Sequence, residues 1–167
     1  MGGSPESVIR AGSLGLPLMI AIIGGQPSRF RPLVDLYREA GERAGHAREC
    51  LKVGIHALGS FAATTKEARD DYFPGYERMF GQIGQERGWP AIRRSHFDAL
   101  CGTEGALIIG DASEAVEKIL HYNEVLGGID RITIQMSPGT LPHPKALAAI
   151  RILGEEVAPA VRKKLGT

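Results

Sequence analysis

The sequence predicts an α/β fold built on parallel strands. Short apolar segments of strand type alternate along the chain with longer segments of helical periodicity. Strands separated by helices imply a parallel sheet, because parallel neighbours need long crossovers, which are usually helical. Residues 3–8 and 110–116 also resemble each other, since each opens a helix with a glycine followed by a capping residue. Repetition of a β/α unit favours a barrel-like fold.

Length and composition indicate one globular domain over residues 1–167. The chain has 167 residues, of which 43% are hydrophobic and 23% are charged. These values are ordinary for a globular protein with one sizeable core. A net charge of +1 gives no electrostatic attraction for nucleic acid or for an acidic membrane surface. We therefore expect neither a nucleic-acid partner nor a membrane partner.

No segment has the pattern of a membrane span or a secretion signal. The longest apolar run, Leu14–Ile23, is interrupted by Gly15 and Pro17 and is too short to cross a bilayer. The N-terminus lacks a basic region followed by an apolar one. The two cysteines, Cys50 and Cys101, are too few for a disulfide framework. We expect reduced thiols and a cytoplasmic protein.

The first third of the chain contains two helix–strand pairs. Ser4 followed by Pro5 predicts the start of a short helix that Gly15 ends, because serine is a favoured N-cap and proline suits the first helical position. A buried strand, Leu16–Ile23, comes next. A second helix and a second strand, Lys52–Phe61, follow. The second helix has apolar residues at helical spacing and a glycine stop, at Leu33, Leu36, Tyr37, Ala40, Ala44 and Gly45.

A long polar helix is predicted in the middle of the chain. Thr64 and Glu67 have the spacing of a capping box, and the helical pattern continues through Arg87. Pro74 and the glycine after it lie inside this stretch, so we expect a kink or a break there. A short helix over residues 92–100 follows.

The last third repeats the β/α alternation. Residues 106–110 form a strand or a buried loop, and Asp111 is the N-cap of a helix that Gly127–Gly128 end. Arg131–Met136 is the clearest strand, since it alternates and contains β-branched residues. The final helix begins near Pro144.

The turn before the first helix is the best candidate for an anion site. A helix N-terminus presents unpaired N–H groups and a partial positive charge, and the hydroxyls of Ser4 and Ser7 add possible donors for a phosphate. Gly3 precedes them. Simple helix capping by Ser4 is the favoured interpretation from the residues alone, because caps greatly outnumber ligand sites. From the residues alone, both interpretations stay open.

Gly24 and Gly25 are a second candidate binding turn. They follow a predicted strand, and in a β/α barrel the carboxyl ends of the strands form the face where ligands bind. A glycine pair allows a flat cofactor to approach the backbone closely. The same pair is also ordinary turn chemistry.

No catalytic residue and no metal site follow from the motifs. The histidines have no metal-ligand spacing with one another or with the cysteines, and no nucleophile elbow, Walker loop or zinc signature is present. His56 lies inside a predicted strand, where it either points into a barrel mouth or is a satisfied core histidine. Cys50 lies beside Glu49 and lacks the cationic surroundings of a reactive thiolate.

Taken together, the residues resemble the carboxyl-terminal half of a luciferase-like monooxygenase, the flavin- or deazaflavin-dependent family that includes bacterial luciferase. The similarity covers nearly the whole chain, in family order. The matching segments are residues 3–8 with 15–17, residues 61–69, 72–76 and 87–90, and residues 142–143 through 157–159.

The resemblance implies a TIM barrel that binds reduced flavin at the carboxyl ends of its strands. It implies FMN or a related flavin or deazaflavin as cofactor and a small molecule as substrate. By this resemblance the Ser4 turn helps to hold the flavin phosphate, and the glycine pair lies at the barrel mouth. Gln135 and Met136 close the last strand near the ring or the substrate. The cofactor-binding candidates are Gly3, Ser4, Ser7, Gly24 and Gly25.

The resemblance also implies an incomplete barrel, because a TIM barrel needs about 250 residues. A partial barrel exposes strand edges and an apolar face, which parallel sheets normally bury. We therefore expect a homo-oligomer that completes the sheet. The expected activity is that of a flavin-dependent monooxygenase. The alternative is a non-catalytic half barrel that binds flavin or phosphate.

Overall fold

A computed structural model describes residues 3–166; Met1, Gly2 and Thr167 lie outside the described residues. Helices and strands alternate as the sequence predicts, and two single turns of 3₁₀ helix lie at Pro27–Phe30 and Arg48–Cys50. The elements are α1 (Pro5–Ser13), β1 (Leu18–Ile22), α2 (Arg31–Arg43), β2 (Val53–Phe61), α3 (Thr65–Arg87), α4 (Arg94–Cys101), β3 (Ile108–Gly110), α5 (Ala112–Val125), β4 (Arg131–Gln135), α6 (His143–Ile152) and α7 (Ala158–Leu165).

Every strand pair in the sheet is parallel, which confirms the predicted fold class. β1 pairs with residues 53–57 of β2, and β4 pairs with residues 54–58 of the same strand. β3 pairs only with the last three residues of β2. β4 therefore lies directly beside β2, and residues 62–130 form one long crossover between these two neighbours. β1 and β4 pair with no strand but β2 within residues 3–166, so each has a free edge.

One face of the sheet packs against helices and forms the main core. The strand residues that point to this outer face alternate with residues that point the other way. Val8 of α1, Val34 and Tyr37 of α2, and Ile119 and Tyr122 of α5 are buried against them. The outer-face strand residues are Leu18, Ile20, Ile22, Val53, Ile55, Ala57, Ile132 and Ile134.

A second core lies over the carboxyl-terminal part of the opposite, inner face. Leu58, an inner-face residue of β2, is buried with Tyr72 of α3, Phe97 of α4 and Leu107 beside β3. The Tyr72 hydroxyl donates to the Gln135 carbonyl at 3.2 Å, which joins α3 to the end of β4. The crossover segment α3–α4 thus forms a wall at one end of the inner face.

The sequence predicts a kink or a break at Pro74, and the structure shows that helix α3 continues through this residue without a break. Proline there removes one backbone hydrogen bond, but packing on both sides of the helix compensates. Tyr72 and Tyr76 are buried in the second core. A Cβ on Gly75 would lie 2.4 Å from Pro138 Cγ, so the segment after β4 packs closely on the same turn. Tertiary contacts override the local helix-breaking tendency of proline.

The final helix is interrupted by a π-helical turn, Leu153–Val157, between α6 and α7. Pro159 is in the first turn of α7, where its missing N–H costs least. Within residues 3–166, no helix combines the length and apolar character that a membrane crossing requires.

Candidate functional site

The two candidate binding turns lie at the same end of the sheet. α1 is joined to β1 by the four residues 14–17, so the helix and the strand run in opposite directions. The first residue of α1 is therefore near the carboxyl end of β1, where Gly24 and Gly25 follow. In parallel α/β folds this end of the strands is where ligands bind.

Ser4 and Ser7 form a reciprocal capping box at the start of α1. The Ser4 hydroxyl accepts from the Ser7 backbone N–H at 3.3 Å, and the Ser7 hydroxyl accepts from the Ser4 N–H at 3.4 Å. The Ser7 hydroxyl also donates to the Ser4 carbonyl at 2.9 Å. The capping interpretation of Ser4 therefore describes the structure as it stands, and phosphate binding by these hydroxyls stays a prediction.

Glu6 places a carboxylate in the first turn of α1, beside the groups that an anion would engage. Its own backbone N–H and then the Ser4 hydroxyl lower the pKa of the Glu6 carboxyl. Both interactions use groups that a bound phosphate would otherwise engage at a helix N-terminus. Glu6 is exposed, so its side chain is free to rotate away. Glu6 is not among the residues predicted for the site, although an acidic residue in the first helical turn commonly interacts with the helix N-terminus.

The glycine turn after β1 is open and has a cation beside it. Nothing lies within 4 Å of the position that a Cβ on Gly24 or Gly3 would take, and Gly25 has a φ of +76°. The Arg29 guanidinium is 4.0 Å from the corresponding position on Gly25. Within residues 3–166, Arg29 has no carboxylate partner within 4.0 Å.

This set of groups has the chemistry of a phosphate site. Hydroxyls, a helix N-terminus, uncrowded glycine backbone and an arginine are the groups that bind phosphate. The structure brings all five predicted binding residues to one end of the sheet. Arg29 was not anticipated, because an arginine in a turn has no distinctive pattern.

The inner face of the sheet is the floor of the candidate site. Register places Ala21, His56 and Thr133 side by side on β1, β2 and β4. A second row lies two residues earlier along each strand and consists of Met19, Gly54 and Arg131. The α3–α4 segment closes this floor at its carboxyl end, above Leu58 and Gln135.

His56 and Thr133 form a hydrogen-bonded pair on this floor. His56 Nδ1 lies 3.1 Å from Thr133 Oγ1, and the Thr133 hydroxyl donates to the Ile55 carbonyl at 3.2 Å. A hydroxyl has one proton to donate. When Thr133 gives this proton to Ile55, it accepts from His56, Nδ1 carries the ring proton and Nε2 is the acceptor nitrogen.

Other residues considered from the sequence have ordinary roles. Gln135 lies on the inner face, whereas Met136 packs toward the outer core. Cys50 is exposed and Cys101 is buried, and burial raises the pKa of the Cys101 thiol to about 12. Among residues 3–166, no three His, Cys, Asp or Glu side chains are grouped as a metal site requires.

The chain is similar to known proteins of one family. The family model of luciferase-like monooxygenases matches residues 1–128 of the chain. This match includes the Ser4 turn, the glycine turn and the whole of β2. No curated protein matches the chain.

Three solved structures are similar in fold at 19% identity. A monooxygenase, RslO1, from Streptomyces bottropensis has a TM-score of 0.71, covering 93% of this chain and 45% of its own. The oxygenating constituent of 3,6-diketocamphane monooxygenase from the CAM plasmid of Pseudomonas putida, solved with FMN, has a TM-score of 0.64 with the same coverage. Coenzyme F420 dependent tetrahydromethanopterin reductase from Methanopyrus kandleri has a TM-score of 0.63, covering 93% of this chain and 48% of its own.

The chain spans about half the length of these similar structures. At these identities the likeness shows the fold. Membership rests on the family model, which matches more than half of the chain. The chain belongs to the luciferase-like monooxygenase family.

Proposed function

We propose that this protein is a flavin-dependent oxidoreductase of the monooxygenase type, acting on a small organic molecule in the cytoplasm. The family match over residues 1–128 carries the proposal. The fold similarity to a monooxygenase solved with FMN and to a coenzyme F420 dependent reductase supports FMN or a related flavin or deazaflavin as cofactor.

The cofactor phosphate is assigned to the turn before α1. Gly3, Ser4 and Ser7 would offer backbone and hydroxyl donors, after the Glu6 carboxylate has moved aside. Gly24 and Gly25 would let the cofactor pass close to the backbone at the end of β1, since nothing crowds Gly24 within 4 Å. Bound reduced flavin supplies the two electrons with which one oxygen atom of O₂ becomes water while the other enters the substrate.

Self-association is part of the proposal. β1 and β4 have free edges within the described residues, and exposed edges favour pairing with another chain. Apolar side chains that include Leu14, Leu16, Met19 and Ile23 are exposed along or beside β1. Burial of these side chains between copies would remove both the free edge and the apolar surface from water.

An oxidation assay tests the proposed activity. Chemically reduced FMN would be mixed with aerated buffer and a panel of small organic substrates, with and without the protein. We expect the protein to bind reduced FMN and to make its oxidation depend on one substrate class, with an oxygenated product. The same panel with reduced deazaflavin decides the cofactor type. Binding without any substrate-dependent oxidation would contradict the enzyme proposal.

A second candidate is a flavin-binding protein without turnover. The small number of strands on the inner face favours this candidate. β1, β2 and β4 supply three adjacent strands, whereas a closed TIM barrel has eight. Binding in the assay above without product formation would support this candidate.

A further inference from the structure

We propose that His56 contacts the flavin ring through a hydrogen bond from a ring N–H to Nε2, and that Thr133 is the positioning residue that holds the imidazole for it. This inference rests on the proposed function and names the ring contact that the binding turns do not provide.

The proposal includes the state of His56 in which Nδ1 carries the ring proton. In this state Thr133 donates to the Ile55 carbonyl and accepts from His56 Nδ1, at the observed distances of 3.2 and 3.1 Å. Among residues 3–166, no side chain or backbone group donates to or accepts from Nε2 of His56. An acceptor nitrogen with a locked orientation is suited to a ligand that brings one donor hydrogen. Flavin and deazaflavin ring systems each carry such an N–H group.

The side chains directly beside His56 are small. Ala21 lies on one side, and two residues earlier on β2 the Met19 side chain lies over Gly54. The exposed hydroxyl-bearing Thr133 completes the row on the other side. His56 is half-buried. The α3–α4 wall begins at Leu58, the next residue of β2 on the same face. A ring over His56 would therefore lie between Met19 and this wall.

The distance from the binding turns suits one cofactor molecule. Gly24 lies two residues beyond Ile22, which pairs with Ala57, so it is level with Gly59. His56 is three residues before Gly59, which corresponds to about 10 Å along the strand at about 3.3 Å per residue. A flavin mononucleotide is longer than this distance. A flavin that passes the glycine turn can therefore reach His56 with its ring.

Three variants separate the ring contact from other effects. His56→Leu removes the acceptor, whereas His56→Gln keeps it, because the amide N–H can donate to Thr133 and the amide oxygen can accept in place of Nε2. His96→Leu is the matched control, since His96 is exposed on α4. Riboflavin is the probe, because it contains the ring and lacks the phosphate. A Thr133→Val variant tests the positioning role.

The expected results concern binding and the state of the imidazole. Loss of one hydrogen bond should weaken riboflavin binding about three- to tenfold in His56→Leu, with little change in His56→Gln or His96→Leu. In nitrogen NMR of the labelled wild type, His56 should carry its proton on Nδ1, and riboflavin should shift its Nε2 signal. Thr133→Val should mix the two tautomers and weaken binding.

Two results would overturn the inference, and they are distinguishable. If the wild type binds riboflavin while its His56 nitrogen signals stay unchanged and His56→Leu binds equally well, the ring contact is wrong and the proposed function stands. If the wild type binds neither riboflavin, FMN nor a deazaflavin, both proposals are wrong. The wild-type NMR measurement decides the first case even if a variant fails to fold.

Discussion

The Glu6 carboxylate sets the chemistry of the turn before α1. It interacts with its own backbone N–H and with the Ser4 hydroxyl, and these interactions lower its pKa. A phosphate approaching the same helix N-terminus meets both a repelling charge and occupied donors. The turn thus already carries one negative charge, and a bound phosphate adds more beside it.

Replacing Glu6 by glutamine should therefore strengthen FMN binding. The charge at the helix N-terminus is removed while the size of the side chain is kept, and effects of this kind correspond to about a two- to fivefold change in affinity. Fluorescence titration with FMN measures the change. Riboflavin is the control ligand, because its affinity should not depend on a charge at the phosphate turn. Equal FMN affinity in both proteins would contradict the assignment of the phosphate to this turn.

Packing between elements depends on particular glycines. A Cβ on Gly12 of α1 would lie 2.2 Å from the Tyr37 carbonyl oxygen of α2, whereas a Cβ on Gly81 of α3 would meet nothing within 4 Å. The first glycine allows two helices to approach closely. The second only leaves the backbone more flexible.

Alanine substitutions at these two positions should have opposite effects. Gly12→Ala forces α1 and α2 apart and should lower the free energy of unfolding by about 1–3 kcal/mol. Gly81→Ala should raise it by about 0.5–1 kcal/mol, because alanine favours the helix. Urea unfolding followed by circular dichroism measures both. A neutral Gly12→Ala variant would show that the helix contact is looser than described.

Lys118 links α5 to the end of α4. The side chain is 4% exposed, and its Nζ donates to the carbonyls of Cys101 and Gly102. Burial lowers the pKa of Lys118 to about 8, from the ordinary value of 10.5. Below about pH 8 the residue is charged in both the folded and the unfolded chain. The free energy of unfolding is then reduced by the full cost of burying the charge.

The stability contribution of Lys118 should rise with pH. Between about pH 8 and pH 10.5 the unfolded chain binds more protons at this residue than the folded chain does, so the free energy of unfolding increases with pH. Relative to Lys118→Met, the wild type should gain about 2 kcal/mol between pH 7.5 and pH 10. Urea unfolding at both pH values measures this difference. An unchanged difference would mean that the amine is neutral or well solvated throughout.

The elements that local chemistry determines were predictable from the sequence. Ser4, Thr64 and Asp111 each cap the helix that the sequence assigns to them. The continuity of α3 through Pro74 and the position of β4 beside β2 were not predictable. Both depend on contacts between residues more than 50 positions apart, such as Tyr72 with Gln135 and His56 with Thr133.

At the scale of the whole molecule, the sheet has an open inner face and two free edges. The sequence predicted the end of the sheet at which a cofactor would bind, because turns and caps are local signals. It did not predict the floor of the site. The row of Ala21, His56 and Thr133 exists only through strand register, and a single sequence contains no direct signal for register.

The free edge of β1 should cause the chains to associate. Light scattering across a range of concentrations should give a mass above that of one chain at micromolar protein. Leu16→Glu should shift the mass toward a single chain, because it places a charge on an exposed apolar side chain beside the edge. Trp89→Gln is the control, since Trp89 is an exposed apolar residue that follows α3. A wild type that stays monomeric would contradict the association.

The most direct test of the account is a titration of the purified chain with FMN beside its Ser4→Asp variant, with flavin fluorescence as the signal. The account predicts saturable quenching at one FMN per chain and much weaker binding by Ser4→Asp, because a carboxylate replaces a phosphate-binding hydroxyl. Absence of saturable binding, or equal affinity in both proteins, would contradict a flavin site at the carboxyl ends of these strands.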